Sequence, residues 1–223
     1  MLELGQKQSG EGVTSMEQRQ INAVSSKIID SILSLERINN KPILIAIDGG
    51  SGSGKSTVAG IISSQLNATL IATDDFYAAE IPHEGWINRS HKERAADVIN
   101  WRSLKSLVLE PLMKGVPASW KAFDFNAGIR PDGTYSIALA ATYYLPNDLI
   151  ILEGAYSCRP ELSDIINLKI LIDVPVEIRH ERLQNREEKE FLIQWHERWD
   201  DPEEYYFREV RPPSSFDMVI ENI

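Results

Sequence analysis

The 223-residue chain contains 43% hydrophobic residues, which fits one α/β domain with a small insertion. Its formal charge of −10 argues against a nucleic-acid-binding surface, because such a surface needs a basic face. The single cysteine, Cys158, excludes an internal disulfide. No apolar run approaches the roughly 18 residues that cross a bilayer, and the first residues lack a signal-peptide core. We therefore expect a cytoplasmic protein that does not bind membranes.

The first part of the chain divides into a polar start and an amphipathic segment. Residues 1–15 are polar and glycine-bearing, and are expected to be disordered. Residues 16–40 are predicted to form a helix that ends near Ile38, because apolar residues recur there at helical spacing. This helix is expected to pack on the remainder of a single domain, 16–223, although a partner-binding helix is an alternative.

The stretch from Ile43 to Thr57 carries the clearest functional signal. An unbroken apolar run, typical of a buried parallel strand, leads into a glycine-rich turn with the spacing Gly49-x-x-x-x-Gly54-Lys55-Ser56, and apolar residues then recur at helical spacing. Glycines let consecutive backbone N–H groups turn around an anion, and the helix N-terminus adds partial positive charge. The sequence therefore predicts a phosphate-binding loop. The expected ATP-binding residues are Gly49, Gly50, Ser51, Gly52, Ser53, Gly54, Lys55, Ser56 and Thr57.

Two residues of this loop have expected chemical roles. Lys55 can reach the β- and γ-phosphates of a nucleoside triphosphate, and the Ser56 hydroxyl is placed to ligate Mg²⁺. ATP and Mg²⁺ are the cofactors that this arrangement predicts.

Acidic residues follow two further predicted strands. The strand at 68–73 leads to Asp74 and Asp75, and the strand at 149–152 leads to Glu153. In a parallel sheet these strand ends lie at the edge where ligands bind. Asp74 is the candidate acceptor of a hydroxyl proton and a candidate metal ligand, with Asp75 as the alternative because the strand register is open. Glu153 is the candidate acid near Mg²⁺. Helix capping by Asp74 and a solvent-facing turn at Glu153 are the structural alternatives.

The remaining segments are expected to supply the substrate side and a lid. Residues 78–145 are predicted to form a substrate-side insertion, with a helix from Trp101 to Met113 interrupted near Pro111 and a strand or hairpin at 134–145. Strands are predicted at 168–173 and 216–220. Residues 176–210 are predicted to form a lid and a C-terminal helix.

Other side chains allow both a functional and a structural interpretation. Arg179, Arg182 and Arg186 share one helix face, which could close over a triphosphate or pair with neighbouring glutamates in solvent. Phe123 and Phe125 flank Asp124, and could hold a base or sugar ring or pack in a core. The four histidines show no metal-ligand spacing and are expected on the surface. The aromatic residues of 195–207 are expected to pack the C-terminal helix.

Taken together, these motifs resemble the uridine kinase family, within the wider group that includes phosphoribulokinase and bacterial pantothenate kinase. The similarity spans roughly residues 41–222. The matching pieces are the Gly49–Thr57 loop, Asp74-Asp75-Phe76-Tyr77, Phe123-Asp124-Phe125, Leu152-Glu153-Gly154, the arginine-bearing helix after Asp173 and the strand at 217–220.

The resemblance implies a fold and a set of roles. The expected fold is a three-layer α/β domain with a five-stranded parallel sheet in the order 2-3-1-4-5. The family's general base falls on Asp74, and its metal ligands fall on Ser56, Asp74 and Glu153. The expected catalytic residues are Lys55, Asp74, Arg182 and Arg186. The expected substrate-binding residues are Asp74, Tyr77, Phe123, Asp124, Phe125 and Arg130.

The acceptor is less defined than the reaction. The predicted activity is transfer of the γ-phosphoryl group of ATP to a hydroxyl of a small molecule, in the first instance a nucleoside. Gly128 stands where the family has a base-reading histidine, so sugars, vitamin precursors and nucleoside monophosphates stay open. A phosphorylated acceptor needs additional cations, for which Arg89, Lys92, Arg94 and Arg102 are available. A nucleotide-dependent switch ATPase is the rival outside the kinases, and self-association into a homo-oligomer stays open.

Overall fold

The computed structural model describes residues 15–36, 41–186 and 189–221. Residues 1–14 of the segment that we predict to be disordered lie outside this range. In the described part of the chain the strands are β1 (Ile43–Asp48), β2 (Thr69–Ala72), β3 (Ala118–Trp120), β4 (Thr142–Tyr144), β5 (Leu149–Glu153), β6 (Leu168–Asp173) and β7 (Met218–Glu221). The α-helices there are α1 (Ser15–Leu33), α2 (Lys55–Leu66), α3 (His91–Asp97), α4 (Trp101–Ser103), α5 (Glu110–Met113), α6 (Val176–Arg186) and α7 (Lys189–Tyr205).

Five of the strands form one parallel sheet in the order β2-β5-β1-β6-β7. Counted among themselves these strands have the order 2-3-1-4-5, so the predicted sheet is confirmed. Because the strands are parallel and in register, their carboxyl ends share one edge. Ile47 of β1 pairs with Glu153 of β5, and Glu153 pairs in turn with Ala72 of β2. The loops after these three strands therefore start side by side.

The central strand is apolar throughout because both of its faces are covered. Leu44 and Ala46 face a core that includes Trp86, and Ile45 and Ile47 face a second core that includes α2. Parallel strands buried on both faces show this lack of alternation. The sheet and the helices on its two sides form three layers, as predicted.

Helix α1 packs on the α2 side and ends earlier than predicted. Ile28 and Ile32 are buried there, whereas Leu33 is 68% exposed. Beyond Leu33 the backbone tightens, since the amide of Leu35 bonds the Ile32 carbonyl and the Ser34 hydroxyl bonds the Ser31 carbonyl. The predicted end near Ile38 is wrong for the described residues, and residues 37–40 lie outside them.

The helix predicted around Pro111 is also different from the expectation. Helices α4 and α5 are joined without a break by a wide helical turn, Leu104–Leu109, in which the Glu110 amide bonds the Lys105 carbonyl. Proline lacks an amide hydrogen and its ring clashes with the carbonyl four residues earlier, and the wider turn accommodates both effects. The interruption predicted near Pro111 is therefore a change of helical pitch.

Residues 78–145, which we predict to be a substrate-side insertion, contain little regular β-structure. Strand β4 pairs antiparallel with β3, and single bridges join Phe123 to Ile137 and Ile129 to Tyr135. The strand predicted over 134–145 is confirmed only at 142–144. Helix α3 begins with a capping box between Ser90 and Glu93. No helix in the described ranges has the length and apolar character required to span a bilayer.

Candidate active site

The glycine-rich loop lies between the end of β1 and the start of α2. Gly52 has a φ of 80°, and a Cβ atom there would lie 2.6 Å from the Arg179 carbonyl oxygen, so this position requires glycine. The first amides of α2 have no carbonyl of their own helix to bond. They are therefore available to bind an anion at the start of the helix.

Two loop side chains lie next to an acid at the sheet edge. The Ser56 hydroxyl donates to Glu153 Oε2 at 3.1 Å, and Lys55 Nζ lies 3.4 Å from the Gly50 carbonyl. Burial raises the pKa of Glu153, and the charge of Lys55 partly opposes that shift. Gly154 follows Glu153 where a Cβ atom would overlap the Thr73 side chain, which fixes the loop after β5 against the loop after β2.

Asp74 and Asp75 occupy a single turn after β2 and face different surroundings. Asp74 is exposed and lines a cavity together with Lys55 and Ser51. The Asp75 carboxylate accepts a hydrogen bond of 2.9 Å from Trp120 Nε1, and burial raises its pKa. Asp74 therefore lines the cavity beside the loop, whereas Asp75 lines a separate surface groove.

The cavity beside the loop continues into a second cavity. The inner cavity is lined by Ser51, Lys55, Asp74, Tyr77, Val98, Ile99, Phe125, Ala155, Tyr156, Trp195, Trp199 and Glu203. The outer cavity is lined by His83, Phe123, Asp124, Phe125, Gly128, Ile129, Tyr135, Gln194, Trp195, Arg198 and Trp199. Because Phe125, Trp195 and Trp199 border both, the two spaces adjoin.

Aromatic rings form most of the wall between the cavities. The ring centroid of Tyr77 lies 4.9 Å from that of Phe123 and 5.8 Å from that of Trp199, and Phe123 lies 4.6 Å from Phe125. The structure thus brings together Tyr77, Phe123, Asp124 and Phe125, four of the residues that we expect to bind substrate. Trp195 and Trp199 pack the C-terminal helix, as predicted, and also line both cavities.

A polar group closes the far end of the outer cavity. His83 Nδ1 lies 2.8 Å from the Tyr135 hydroxyl, and Arg198 Nη2 lies 3.2 Å from His83 Nε2. Burial, with a further contribution from Arg198, lowers the pKa of His83, so the imidazole is neutral near pH 7. His83, which we predicted to be a surface residue, is half-buried and lines this cavity. Sequence spacing gave no signal for this group, since Arg198 is 115 positions from His83.

Arg130 lies outside both cavities. Its guanidinium donates to the Ser136 hydroxyl at 3.2 Å, and it lines a surface groove shared with Asp75 and Trp120. The structure therefore does not bring Arg130 to the other predicted substrate-binding residues.

The three arginines of α6 differ in position. Arg179 is largely buried and donates to the Ser51 carbonyl at 3.0 Å and to Glu203 at 2.9 Å, which is a structural position behind the loop. Arg182 Nη1 lies 3.4 Å from the carbonyls of Gly52 and Ser53. Arg186 is exposed at the end of the helix.

Two buried acids that the sequence did not single out hold the loop from behind. Glu203 of α7 accepts from the Ser51 amide at 3.0 Å and from its hydroxyl at 2.6 Å. Asp48 at the end of β1 accepts from the amides of Gly49, Tyr156 and Cys158 and from the Tyr206 hydroxyl, all at 2.8–2.9 Å. Burial raises the pKa of Asp48 to about 6.

A parallel sheet of this order, with a glycine-rich loop after its central strand and acids at the adjoining strand ends, defines a P-loop kinase. Comparison with known proteins agrees with this assignment. The chain is 32% identical over 158 residues to the uridine kinase of Lactobacillus johnsonii, covering 68% of this chain and 71% of that protein. It is 30% identical over 159 residues to the uridine kinase of Lactobacillus helveticus, covering 67% and 70%. The cytidylate kinase family profile matches residues 45–106.

Solved structures show the same fold. A possible uridine kinase from Bacillus stearothermophilus superposes with a TM-score of 0.68 at 19% identity, covering 90% of this chain and 99% of that one. D-glycerate 3-kinase from Cryptococcus neoformans gives a TM-score of 0.56 at 12% identity, covering 94% and 96%. The chain belongs to the uridine kinase family, and it is a phosphotransferase with a hydroxyl group as acceptor.

Proposed function

We propose that this protein transfers the γ-phosphoryl group of ATP to a hydroxyl group of a nucleoside. The observation that carries the proposal is an aromatic cavity that adjoins the cavity beside the glycine-rich loop, and the lining of that inner cavity includes Asp74. Flat rings such as Phe123 and Phe125 suit a base or sugar ring, because aromatic faces bind other planar or apolar faces. A nucleotide switch has no need of such a cavity.

The donor side of the site suits a triphosphate with Mg²⁺. The Ser56 hydroxyl and the Glu153 carboxylate are 3.1 Å apart, and oxygen ligands of this kind are those that Mg²⁺ prefers. A cation bound beside Glu153 would favour its ionised form and so oppose the rise in pKa that burial causes. Mg²⁺ bound there would offset negative charge on the phosphates. Lys55 would hold the β- and γ-phosphates from the other side.

The chemical step would require one proton acceptor and neutralising charge. The acceptor oxygen forms a bond to the γ-phosphorus, the bond from that phosphorus to the departing ADP oxygen breaks, and the hydroxyl proton passes to the Asp74 carboxylate. Lys55 and Arg182 would neutralise the charge of the moving group, and Arg186 would join them if α6 closes over the loop. Asp75 is less suited to the proton transfer because Trp120 holds its carboxylate.

A nucleoside monophosphate is the second candidate acceptor, and Arg198 is the observation that favours it. Arg198 lines the outer cavity and could bind a phosphate group. Two of the four cations available in the insertion have other contacts, since Arg89 bonds Asp97 and Arg94 bonds the carbonyls of Trp86 and Arg198. The match of residues 45–106 to the cytidylate kinase profile is consistent with this candidate.

Release of ADP measured with separate panels of nucleosides, nucleoside monophosphates and sugars tests the proposal. We expect stimulation by nucleosides. Arg198→Gln separates the two candidates, because it should raise KM for a monophosphate by about 10-fold or more while affecting a nucleoside less. Arg208→Gln is the control, because Arg208 is exposed, pairs with Glu204 and lines neither cavity. Stimulation by sugars alone, or by no compound, would contradict the proposal.

A further inference from the structure

Three potential metal ligands converge between α6 and α7, away from the cavities just described. His180 Nε2 lies 3.1 Å from Asp200 Oδ2, and His196 Nδ1 lies 3.1 Å from the same oxygen. The centroids of the two imidazole rings are 4.0 Å apart. None of these three side chains has a role in the proposed phosphoryl transfer.

Hydrogen bonding does not account for the whole cluster. His196 Nδ1 forms a hydrogen bond with Asp200 Oδ1 at 3.2 Å. His180 Nε2 is buried and has no hydrogen-bond partner within the described residues, although Asp200 Oδ2 is close to it. The carboxylate oxygen is thus near this nitrogen but out of line with a bond to it. A buried polar nitrogen without a hydrogen-bond partner lowers the stability of the fold, and a bound cation would give this nitrogen a partner.

The distances match those between ligands that share one ion. Zinc binds histidine nitrogen and carboxylate oxygen at about 2.0–2.2 Å, so neighbouring ligands of a tetrahedral site lie about 3.3 Å apart. The three candidate ligand atoms all lie within 4.8 Å of one another, and two of their separations are 3.1 Å. Small rotations of the side chains would bring them into this geometry.

The ligand types also distinguish this cluster from the magnesium site. Imidazole suits zinc and related divalent transition metals, whereas Mg²⁺ prefers oxygen alone. We propose that His180, His196 and Asp200 bind one zinc-like divalent cation, with water in the fourth position, and so join α6 to α7. The neighbouring pair of Arg179 and Glu203 connects the same two helices to Ser51. The ion would therefore stabilise the helices that support the phosphate-binding loop.

Titration of the tag-free full chain with Co²⁺ tests the site, in buffer with Mg²⁺ and without nucleotide. We expect one equivalent of Co²⁺ to bind with the intense visible absorption of a four-coordinate ion, and Zn²⁺ to displace it. His180→Gln and His196→Gln should each weaken binding by more than the roughly 10- to 100-fold that loss of a supporting contact costs. Asp200→Asn should also weaken binding.

His91→Gln is the matched control, because His91 lies 3.3 Å from Asp201 in an exposed pair that lacks a third ligand in the described structure. The affinity of the His91→Gln variant for Co²⁺ should equal that of the unaltered protein. His196→Cys provides a positive test, since it should retain the ion and add a thiolate charge-transfer band. Absence of Co²⁺ binding, or equal binding in His180→Gln, would overturn the proposal. Neither result depends on the identity of the kinase substrate.

Discussion

Asp74 and Asp75 are neighbours in sequence, but only the first faces the cavity beside the loop. We expect Asp74→Asn to lower kcat by about 10²- to 10⁴-fold, the usual contribution of a general base, with ATP binding largely retained. Lys55→Ala should lower kcat and also weaken ATP binding. The measurements are steady-state ADP release and direct titration with ATP. Asp75→Asn is the control and should keep most of its turnover, although it weakens the bond to Trp120. Unchanged turnover in Asp74→Asn would remove this residue from the mechanism.

Glu153 has a pKa raised by burial, and this predicts how activity changes with pH. Its carboxylate must be ionised to ligate Mg²⁺, so activity should fall on acidification at a higher pH than for an ordinary glutamate. Excess Mg²⁺ binds the ionised form and should move this fall to lower pH. Profiles of kcat/KM at two Mg²⁺ concentrations measure the effect. Glu153→Gln should lose most of its activity, and the pH profile of the residual activity should show no such shift. An acid limb that is independent of Mg²⁺ would contradict this role.

At the scale of elements, local patterns predicted the donor side well. Strand β1, the glycine-rich loop and α2 form one continuous stretch, and the spacing of its glycines and apolar residues records their structure directly. The ends of β2 and β5 were also predictable, because an apolar run followed by an acid gives both the strand and its carboxyl edge. The helix predicted after β6 is present as α6, and its Arg179 donates to the Ser51 carbonyl of the loop.

Contacts between segments that are far apart in the chain were less predictable. Glu203 is 152 positions from Ser51, and Tyr206 is 158 positions from Asp48. Such contacts depend on how α7 packs across the sheet, which no local pattern encodes. The change of helical pitch before Pro111 was missed for another reason. Proline is expected to end a helix, and the wide turn that tolerates it has no sequence signature.

Helix α7 supports the loop through Glu203, which is 3% exposed and is the partner of Arg179. Glu203→Gln would leave a buried guanidinium without its anion, so it should cost about 3 kcal/mol of the free energy of unfolding and raise KM for ATP. Urea unfolding and steady-state kinetics measure the two effects. Glu204→Gln is the matched control, because Glu204 pairs with Arg208 on the surface and should cost less than about 1 kcal/mol. Equal losses in both variants would show that burial of the pair is unimportant.

Across the whole molecule, Asp48 joins segments that are far apart in the chain. Its carboxylate accepts from Gly49 in the loop, from Tyr156 and Cys158 after β5, and from Tyr206 after α7. Burial raises its pKa from 3.8 to about 6, so the folded protein holds the proton more tightly than the unfolded chain does. The stability that results is fully present below pH 3.8 and is lost as pH rises through about 6.

Asp48 should therefore contribute to the pH dependence of the free energy of unfolding. Asp48→Asn should be less stable at every pH, because an amide nitrogen cannot accept the amide hydrogens that the carboxylate binds. Its pH dependence should nevertheless lack the contribution of Asp48. Between pH 4 and pH 7 the unaltered protein should lose about 2 to 3 kcal/mol relative to this variant, as measured by urea unfolding. The opposite slope would mean that the four hydrogen bonds outweigh burial and hold the pKa of Asp48 below that of the unfolded chain.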